Sequence, residues 1–267
     1  PLQTLFPYTT LFRSDKKISV VINTYNAERL LKKVLESVKD FDEIVVCDME
    51  STDATVEIAC QHGAKVVTFP KADHKSAEPA RTFAIQSAQS PWVLVVDADE
   101  LVTPELRDYL YSRISQPDCP AGLYIPRKDY FMQRLFDYPD YQLRFFIKEG
   151  TTWPPYVHTF PQVNGPLGYL PQERKELAFI HLADDTISMR LKKTDLYTDN
   201  EVKKRFGKHY GATALLVSPL WRFIRSYFFK GGIRRGKAGF INSVLYAFYK
   251  FITVAKIIEY NRQNDIR

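Results

Sequence analysis

From Lys17 onward, hydrophobic and polar positions follow two rhythms in turn. Short runs that are apolar almost throughout read as strands: ISVVI (18–22), EIVVC (43–47), AKVVTF (64–69) and WVLVV (92–96). Segments with a helical period fall between them. In Arg29–Lys39, Leu30, Leu31, Val34, Leu35 and Val38 share one helical face. Helices are also predicted over Thr55–Gln61, with Thr52 and Asp53 suited to its N-terminus, over Ala77–Ala88, and over Pro104–Ile114, which opens on a proline. A strand without a polar face must be covered on both sides. Strands of that kind, each followed by a helix, predict an α/β fold with a mostly parallel central sheet and helices on both faces. GLYIP (122–126) and QLRFFI (142–147) read as further strands, Tyr138–Pro171 as loops over a site, and Thr186–Phe206 as a long amphipathic helix.

Composition adds an asymmetry to this picture. The 267 residues are 45% hydrophobic and 25% charged, enough for one well-buried domain with an appendage and unlike a disordered chain. The net charge of +6 is unevenly spread: Arg205–Arg267 carries twelve Lys/Arg against Glu259 and Asp265, leaving residues 1–204 acidic. In PLWRFIRSYFFK (219–230), Leu220, Phe223, Ile224, Tyr227 and Phe228 share a helical face, with Arg222, Arg225 and Lys230 outside it. AGFINSVLYAFYKFITVAKII (238–258) resumes with only Lys250 and Lys256 charged. Such C-terminal amphipathic helices, which otherwise simply pack on the main domain, suit an anionic membrane surface. Lys250 in the middle favours lying on the bilayer over spanning it. The aliphatic bulk offers no stacking platform, which argues against nucleic acid. Cys47, Cys60 and Cys119 form no close-spaced pair, as expected in a reducing compartment. The opening PLQTLFPYTTLFRS lacks the basic start and cleavage site of a signal peptide and reads as adapter- or vector-like sequence. The expected division is therefore a leader at 1–14, an α/β domain at 15–206 and a basic membrane-association region at 207–267.

In open α/β sheets, ligands sit beyond the carboxyl ends of the strands. Three such ends are polar here: NTYN after the first strand, DMESTD after the second and DADE after the fourth. In DADE, Asp97 and Asp99 flank one small residue at a strand tip. Carboxylates so placed suit a hard divalent cation, Mg²⁺ or Mn²⁺, which completes its shell with water and phosphate oxygens. A diphosphate on that cation becomes a better leaving group. The plainer alternative is an acidic turn in which Asp97 and Glu100 cap the next helix. Asp48 can accept a hydrogen bond from a base edge or a ribose, Ser51 through Asp53 being the better helix caps. Arg81, on the helix before the DAD strand, is suited either to phosphates or to a surface ion pair.

These stretches, SVVINTYNAERL, EIVVCDMESTDATVEIACQHGAKV, EPARTFAIQSAQSPWVLVVDADE and YPDYQLRFF with VH at 157–158, resemble in order and spacing the family 2 glycosyltransferases of the GT-A fold, the nucleotide-diphospho-sugar transferase fold. The resemblance covers residues 17–205 and is strongest to bacterial lipopolysaccharide-core and envelope glucosyltransferases. It implies that Thr24, Tyr25 and Glu28 line the nucleotide pocket, that Asp48 reads a uracil-type base, and that Arg81 sits by the diphosphate. Asp97 would support the nucleotide side and Asp99 would bind the metal. Asp140 would be the catalytic base, and Arg144 would position a phosphate or the acceptor. His158 and His181 are candidates for a third metal ligand. Ala27, Glu50 and Thr82 depart from the family pattern, where an acid, a glycine and an asparagine are common. The implied activity is inverting transfer from a nucleotide-sugar donor, a UDP-sugar, to a glycan or lipid-linked acceptor, by a peripheral protein on the cytoplasmic face of the bacterial inner membrane. A nucleotidyltransferase would need a glycine- and basic-rich loop after the first strand, which NTYNAER lacks, and a dehydrogenase a G-x-G-x-x-G. A catalytically silent membrane-bound scaffold would have no use for Asp99 and Asp140.

Overall fold

The computed structural model describes residues 16–74, 76–156, 159–182, 185–205 and 207–265, the side chains of 137–139, 203–204 and 265 excepted. The expectations for the leader and for His158 lie outside the described residues. The chain forms two compact units. The first holds residues 16–129 and 139–182; the second holds 130–138 and the described residues from 185 onward.

The first unit alternates as the hydrophobic pattern predicts: β1 (Ile18–Thr24), α1 (Glu28–Val38), β2 (Glu43–Asp48), α2 (Thr55–Gln61), β3 (Lys65–Thr68), α3 (Glu78–Gln86), β4 (Trp92–Asp97), β5 (Glu100–Val102) and α4 (Pro104–Ile114). Then come β6 (Gly122–Phe131), β7 (Arg134–Ile147), β8 (Leu167–Tyr169) and β9 (Phe179–His181). The sheet order among the described residues is β3-β2-β1-β4-β7-β6-β9-β5, with β8 beside β6. β3, β2, β1 and β4 run parallel, β7 is antiparallel to β4, and β9 is parallel to β6 but antiparallel to β5.

Every residue of β1 is buried, and its side chains alternate between two cores. Ile18, Val20 and Ile22 pack with Leu31, Leu35, Leu106 and Leu110 from the α1 and α4 side. Val21, with Val45, Val93 and Val95, packs against Ala80, Ala84 and Ile85 of α3. At about 1.5–3 kcal/mol for each fully buried aliphatic side chain, these two layers hold the unit together.

Two elements differ from the sequence pattern. β6 and β7 extend well beyond 122–126 and 142–147 into a long hairpin. It turns at Met132 and Gln133, both at positive φ (49° and 60°), a conformation usually signalled by Asn-Gly. Met-Gln carries no such signal. Glu100 is no helix cap: it opens β5, and Thr103 caps α4 by accepting the Leu106 N–H at 3.2 Å.

The second unit comprises α5 (Ile187–Lys204), α6 (Ala214–Ile224) continuing through a π turn at Arg225–Phe229, a 3-10 turn at Gly232–Arg235, and α7 (Gly236–Asp265). α5 groups with this unit because it packs on α7: Arg190 donates to Asn242 at 2.7 Å, and Lys256 bonds Asp195 and Asp199 at 2.7 and 2.6 Å. α6 folds back on α7 through Phe223 and Tyr227, stacked on each other and each edge-on to Phe240. Gly239 permits the close passage, since a Cβ there would run into the Gly232 carbonyl. The stretch Gly232–Asn264 is long and apolar enough, by length and composition alone, to cross a membrane.

Candidate active site

The three polar strand ends meet because of register. Thr24 pairs with Asp48, and Asn23 with Asp97, so the ends of β1, β2 and β4 lie abreast. The loops beyond them are stitched together. Asn26 accepts the Thr52 N–H at 2.8 Å, Glu28 accepts the Ala54 N–H at 3.0 Å, and Asp53 accepts the Glu28 N–H at 3.2 Å. Asp48 is buried and takes hydrogen bonds from Thr24 Oγ1 at 2.9 Å and from the Ser51 N–H at 2.8 Å. Tyr25 is exposed, with the Lys71 ammonium 4.9 Å from its ring centre. Glu50, standing where the family often has glycine, holds φ +60° and accepts the Lys71 N–H at 3.0 Å.

Asp97 is clamped by two arginines. Arg144 donates from both terminal nitrogens at 3.1 and 2.6 Å, and Arg81 donates at 2.9 Å. Both guanidinium groups are almost fully buried and lie over Trp153, 4.5 Å (Arg81) and 5.5 Å (Arg144) from its ring centre. Thr82, the third departure from the family pattern, fixes that tryptophan: its hydroxyl accepts from Trp153 N and donates to Trp153 O. Burial works against a charged Asp97. The charges and hydrogen bonds of Arg144 and Arg81 outweigh it and hold the carboxyl well below the ordinary carboxylate range. Glu100, fully buried nearby, goes the other way: burial and then the Asp97 charge raise its pKa, against the pull of Arg144 and Arg127. Arg81 and Arg144 thus both face Asp97. Among the described residues, Asn23 Oδ1 and Nδ2, Arg81 Nε and Nη1, Arg144 Nε and Trp153 Nε1 are buried polar atoms without a protein hydrogen-bond partner.

Asp99 points elsewhere. Its Oδ2 lies 3.2 Å from His181 Nε2, while His181 Nδ1 is 2.8 Å from Asp129 Oδ1. The strands dictate this contact, since Asp129 and His181 are direct partners in the β6–β9 pairing. Burial disfavours an imidazolium, but the bonds to Asp129 and Asp99 prevail and raise the His181 pKa to about 9. Asp140 is exposed (62%), takes a hydrogen bond from Gln142 at 2.8 Å, and lies 3.7 Å from Arg127. Arg127 also reaches Glu100 and Asp129, each at 3.5 Å. It ties Asp140 to the neighbours of the Asp99–His181 pair.

This geometry fits a small divalent cation. Two donors on adjacent corners of an octahedron with bonds of ~2.1 Å lie roughly 3 Å apart, close to the Asp99–His181 separation. The carboxylate on the far nitrogen orients the ring as it does for many metal-ligating histidines, and a cation at Nε2 would take the place of the proton now shared with Asp99. Among the described residues no third such side chain joins them. The protein would thus supply two ligands and leave the rest to water and phosphate oxygens, as Mg²⁺ sites commonly do. Sequence reasoning alone does not single out Asn23, Arg127, Asp129 or Trp153. The charged triplet Arg127, Lys128 and Asp129 in an otherwise strand-forming run carries the only local signal.

An α/β sheet of this order, polar at the carboxyl ends of its parallel strands and extended by antiparallel ones, is the GT-A glycosyltransferase fold. The sequence model described as "Glycosyl transferase family 2" matches residues 19–164, and the chain belongs to that family. It is 28% identical over 264 residues to an uncharacterized glycosyltransferase of Rickettsia typhi, covering 91% of this chain and 87% of that one. It is 26% identical over 251 residues to a lipopolysaccharide core biosynthesis glycosyltransferase of Rhizobium meliloti, covering 91% and 92%. The structure of a mannosyltransferase from Pyrobaculum calidifontis, solved with GDP-Man and Mn²⁺, superposes with a TM-score of 0.54 at 13% identity, over 91% of this chain and 87% of that one. At that identity the likeness speaks for the fold.

Proposed function

We propose that the chain moves a sugar, with inversion, from a UDP-sugar to a hydroxyl of a cell-envelope glycan or lipid-linked acceptor, working peripherally on the cytoplasmic face of the bacterial inner membrane. The observation that carries the reading is the Asp99–His181–Asp129 line at the end of the parallel sheet, beside the arginine-clamped Asp97. The relative in Rhizobium meliloti, named for lipopolysaccharide core biosynthesis, supports an envelope acceptor.

Each residue then has a physical task. Asp48 accepts from the nucleoside, and Thr24 and Ser51 orient its carboxylate. Tyr25 and Glu28 flank the nucleotide, Glu28 while also holding the loop that carries Ala54. Arg81 and Arg144 fix Asp97 rigidly and raise the local positive potential toward a diphosphate. Arg144 acts by positioning, since its charge faces Asp97. Asp99 and His181 hold Mg²⁺ or Mn²⁺, which when bound neutralises charge developing on the leaving diphosphate. Asp140, exposed and held by Gln142, takes the proton of the acceptor hydroxyl as its oxygen bonds the anomeric carbon and the diphosphate leaves with the electron pair.

Calorimetric titration of UDP and of GDP, with and without Mn²⁺, tests this on the full chain and on Asp99→Ala and His181→Ala. The expected result is Mn²⁺-dependent UDP binding that weakens at least ~10-fold in both variants. GDP binding instead would change the donor and leave the cation site standing. Binding that ignores Mn²⁺ and both substitutions would remove Asp99 and His181 from the site.

A further inference from the structure

The second unit contains a cavity of its own, of about 280 Å³, between α6, α7 and the end of α5. Arg205, Arg222, Arg225 and Lys250 line it, together with Ser218, Trp221 and Tyr249. Ser218 and Arg222 stand at i and i+4 along α6 and Arg225 opens the π turn that follows, while Tyr249 and Lys250 come from α7. Arg205 is paired with Glu201 at 2.7 Å. Among the described residues the other three cations face rings rather than carboxylates, where they have a contact at all: Arg222 lies 5.4 Å from the Tyr246 ring centre and Lys250 5.9 Å from that of Tyr210. The Tyr210 phenol registers the positive field, its pKa lowered first by its bond to Arg205 and then by the charge of Lys250.

We infer that this cleft is a phosphate-binding site for the headgroup of an anionic amphiphile. Three cations without carboxylate partners among the described residues, placed around one small cavity, attract a compact, highly charged anion, and guanidinium groups match phosphate geometry. The volume falls just below the roughly 300–1,000 Å³ of ordinary small-molecule pockets, so it suits a phosphorylated headgroup better than a nucleotide sugar. The surroundings favour a lipid source over free phosphate. Next to the cationic face, α6 and its π turn expose Leu216 (76%), Leu220 (60%), Trp221 (59%) and Phe229 (74%), and α6 buries no residue. Apolar side chains beside a phosphate site match acyl chain beside headgroup. The inference rests on the membrane association proposed above and specifies its ligand; it does not depend on the assignment of sugar transfer.

The test is binding of the full chain to phosphatidylcholine vesicles with and without phosphatidic acid, followed by co-sedimentation and by emission of the exposed Trp221. Arg222→Gln/Arg225→Gln removes two charges from the cleft, and Arg234→Gln/Lys237→Gln removes two from exposed positions outside it. The cleft pair is expected to weaken binding to phosphatidic acid vesicles at least tenfold more than the outer pair. Millimolar pyrophosphate should displace the unsubstituted chain, and unchanged circular dichroism shows that both variants are folded. Equal weakening by the two pairs overturns the cleft in favour of diffuse attraction and leaves membrane association standing. Pyrophosphate binding as tight in solution as at the vesicle overturns the lipid source. A chain that ignores every vesicle overturns this inference and the membrane reading together.

Discussion

The two units handle charge and apolar surface in opposite ways. In the sheet unit, β1 is buried from end to end, and its buried ions are matched, two arginines to Asp97 and a third to Glu100. In the helical unit, α6 buries nothing, and Arg222, Arg225 and Lys250 surround a cavity without carboxylate partners among the described residues. The first arrangement offsets desolvation with its own ion pairs, whereas the second leaves large apolar side chains in water beside cations without carboxylate partners. The sheet unit meets its charge requirements internally, and the helical unit does so only in part, which is the feature the proposed membrane contact would account for.

The sharpest way to break that contrast is at Asp140. Replacing a general base commonly slows a reaction 10²–10⁴-fold, so Asp140→Asn should reduce donor turnover by about that much. Because Asp140 is exposed, its unfolding midpoint should stay put. Unchanged turnover would remove the base assignment. Next is Asp97→Asn, which leaves Arg81 and Arg144 buried against a neutral group. Breaking a buried ion pair from one side costs about 3–5 kcal/mol. Asp97 retains some exposure, which places the expected loss near the lower figure, read from urea unfolding by the emission of the buried Trp92 and Trp153. A loss under ~1 kcal/mol would mean that the arginines find other partners.

Packing separates the units in the same way. Leu106→Ala, at a fully buried α4 position, should cost about 2–5 kcal/mol. Leu220→Ser, on the exposed face of α6, should stay within about 0.5 kcal/mol in water while reducing vesicle binding. A large loss in water from the second would show that α6 is covered in solution and would undo the comparison.

How far the sequence reaches is uneven, for reasons that lie in particular residues. The parallel strands and their helices follow from local pattern, because each strand is apolar at nearly every position. The meeting of Thr24, Asp48 and Asp97 also follows, since parallel register aligns strand ends. The β6–β7 hairpin does not, because Met132 and Gln133 adopt positive φ without glycine or asparagine. Nor does the His181–Asp129 bond, which depends on β9 lying beside β6 across 52 residues of chain. The two arginines on Asp97 are visible as charges near the site, but their burial against Trp153 is not. Local pattern encodes what neighbours along the chain decide, and it is silent on pairings between distant strands.

The smallest effect bears on a departure from the family pattern that sequence can flag without explaining. Glu50 sits at φ +60°, in the left-handed region, where a side chain costs about 1–2 kcal/mol relative to glycine. Its carboxylate offsets part of this by accepting the Lys71 N–H, which anchors the loop whose ammonium lies over Tyr25. Glycine at this position relieves the strain, but it frees the unfolded chain by roughly 0.5–1 kcal/mol and loses the same hydrogen bond, so Glu50→Gly should fall between a gain of about 1 kcal/mol and a loss of about 1.5 kcal/mol. Glu50→Ala keeps the strain and loses the hydrogen bond, so it should destabilise by roughly 0.5–1.5 kcal/mol. Urea midpoints of opposite sign for the two variants would show that backbone strain outweighs the hydrogen bond at residue 50. Two losses of equal size would instead assign the residue's contribution to the Lys71 bond, and a shift in nucleotide affinity in both would tie that bond to the placement of Tyr25.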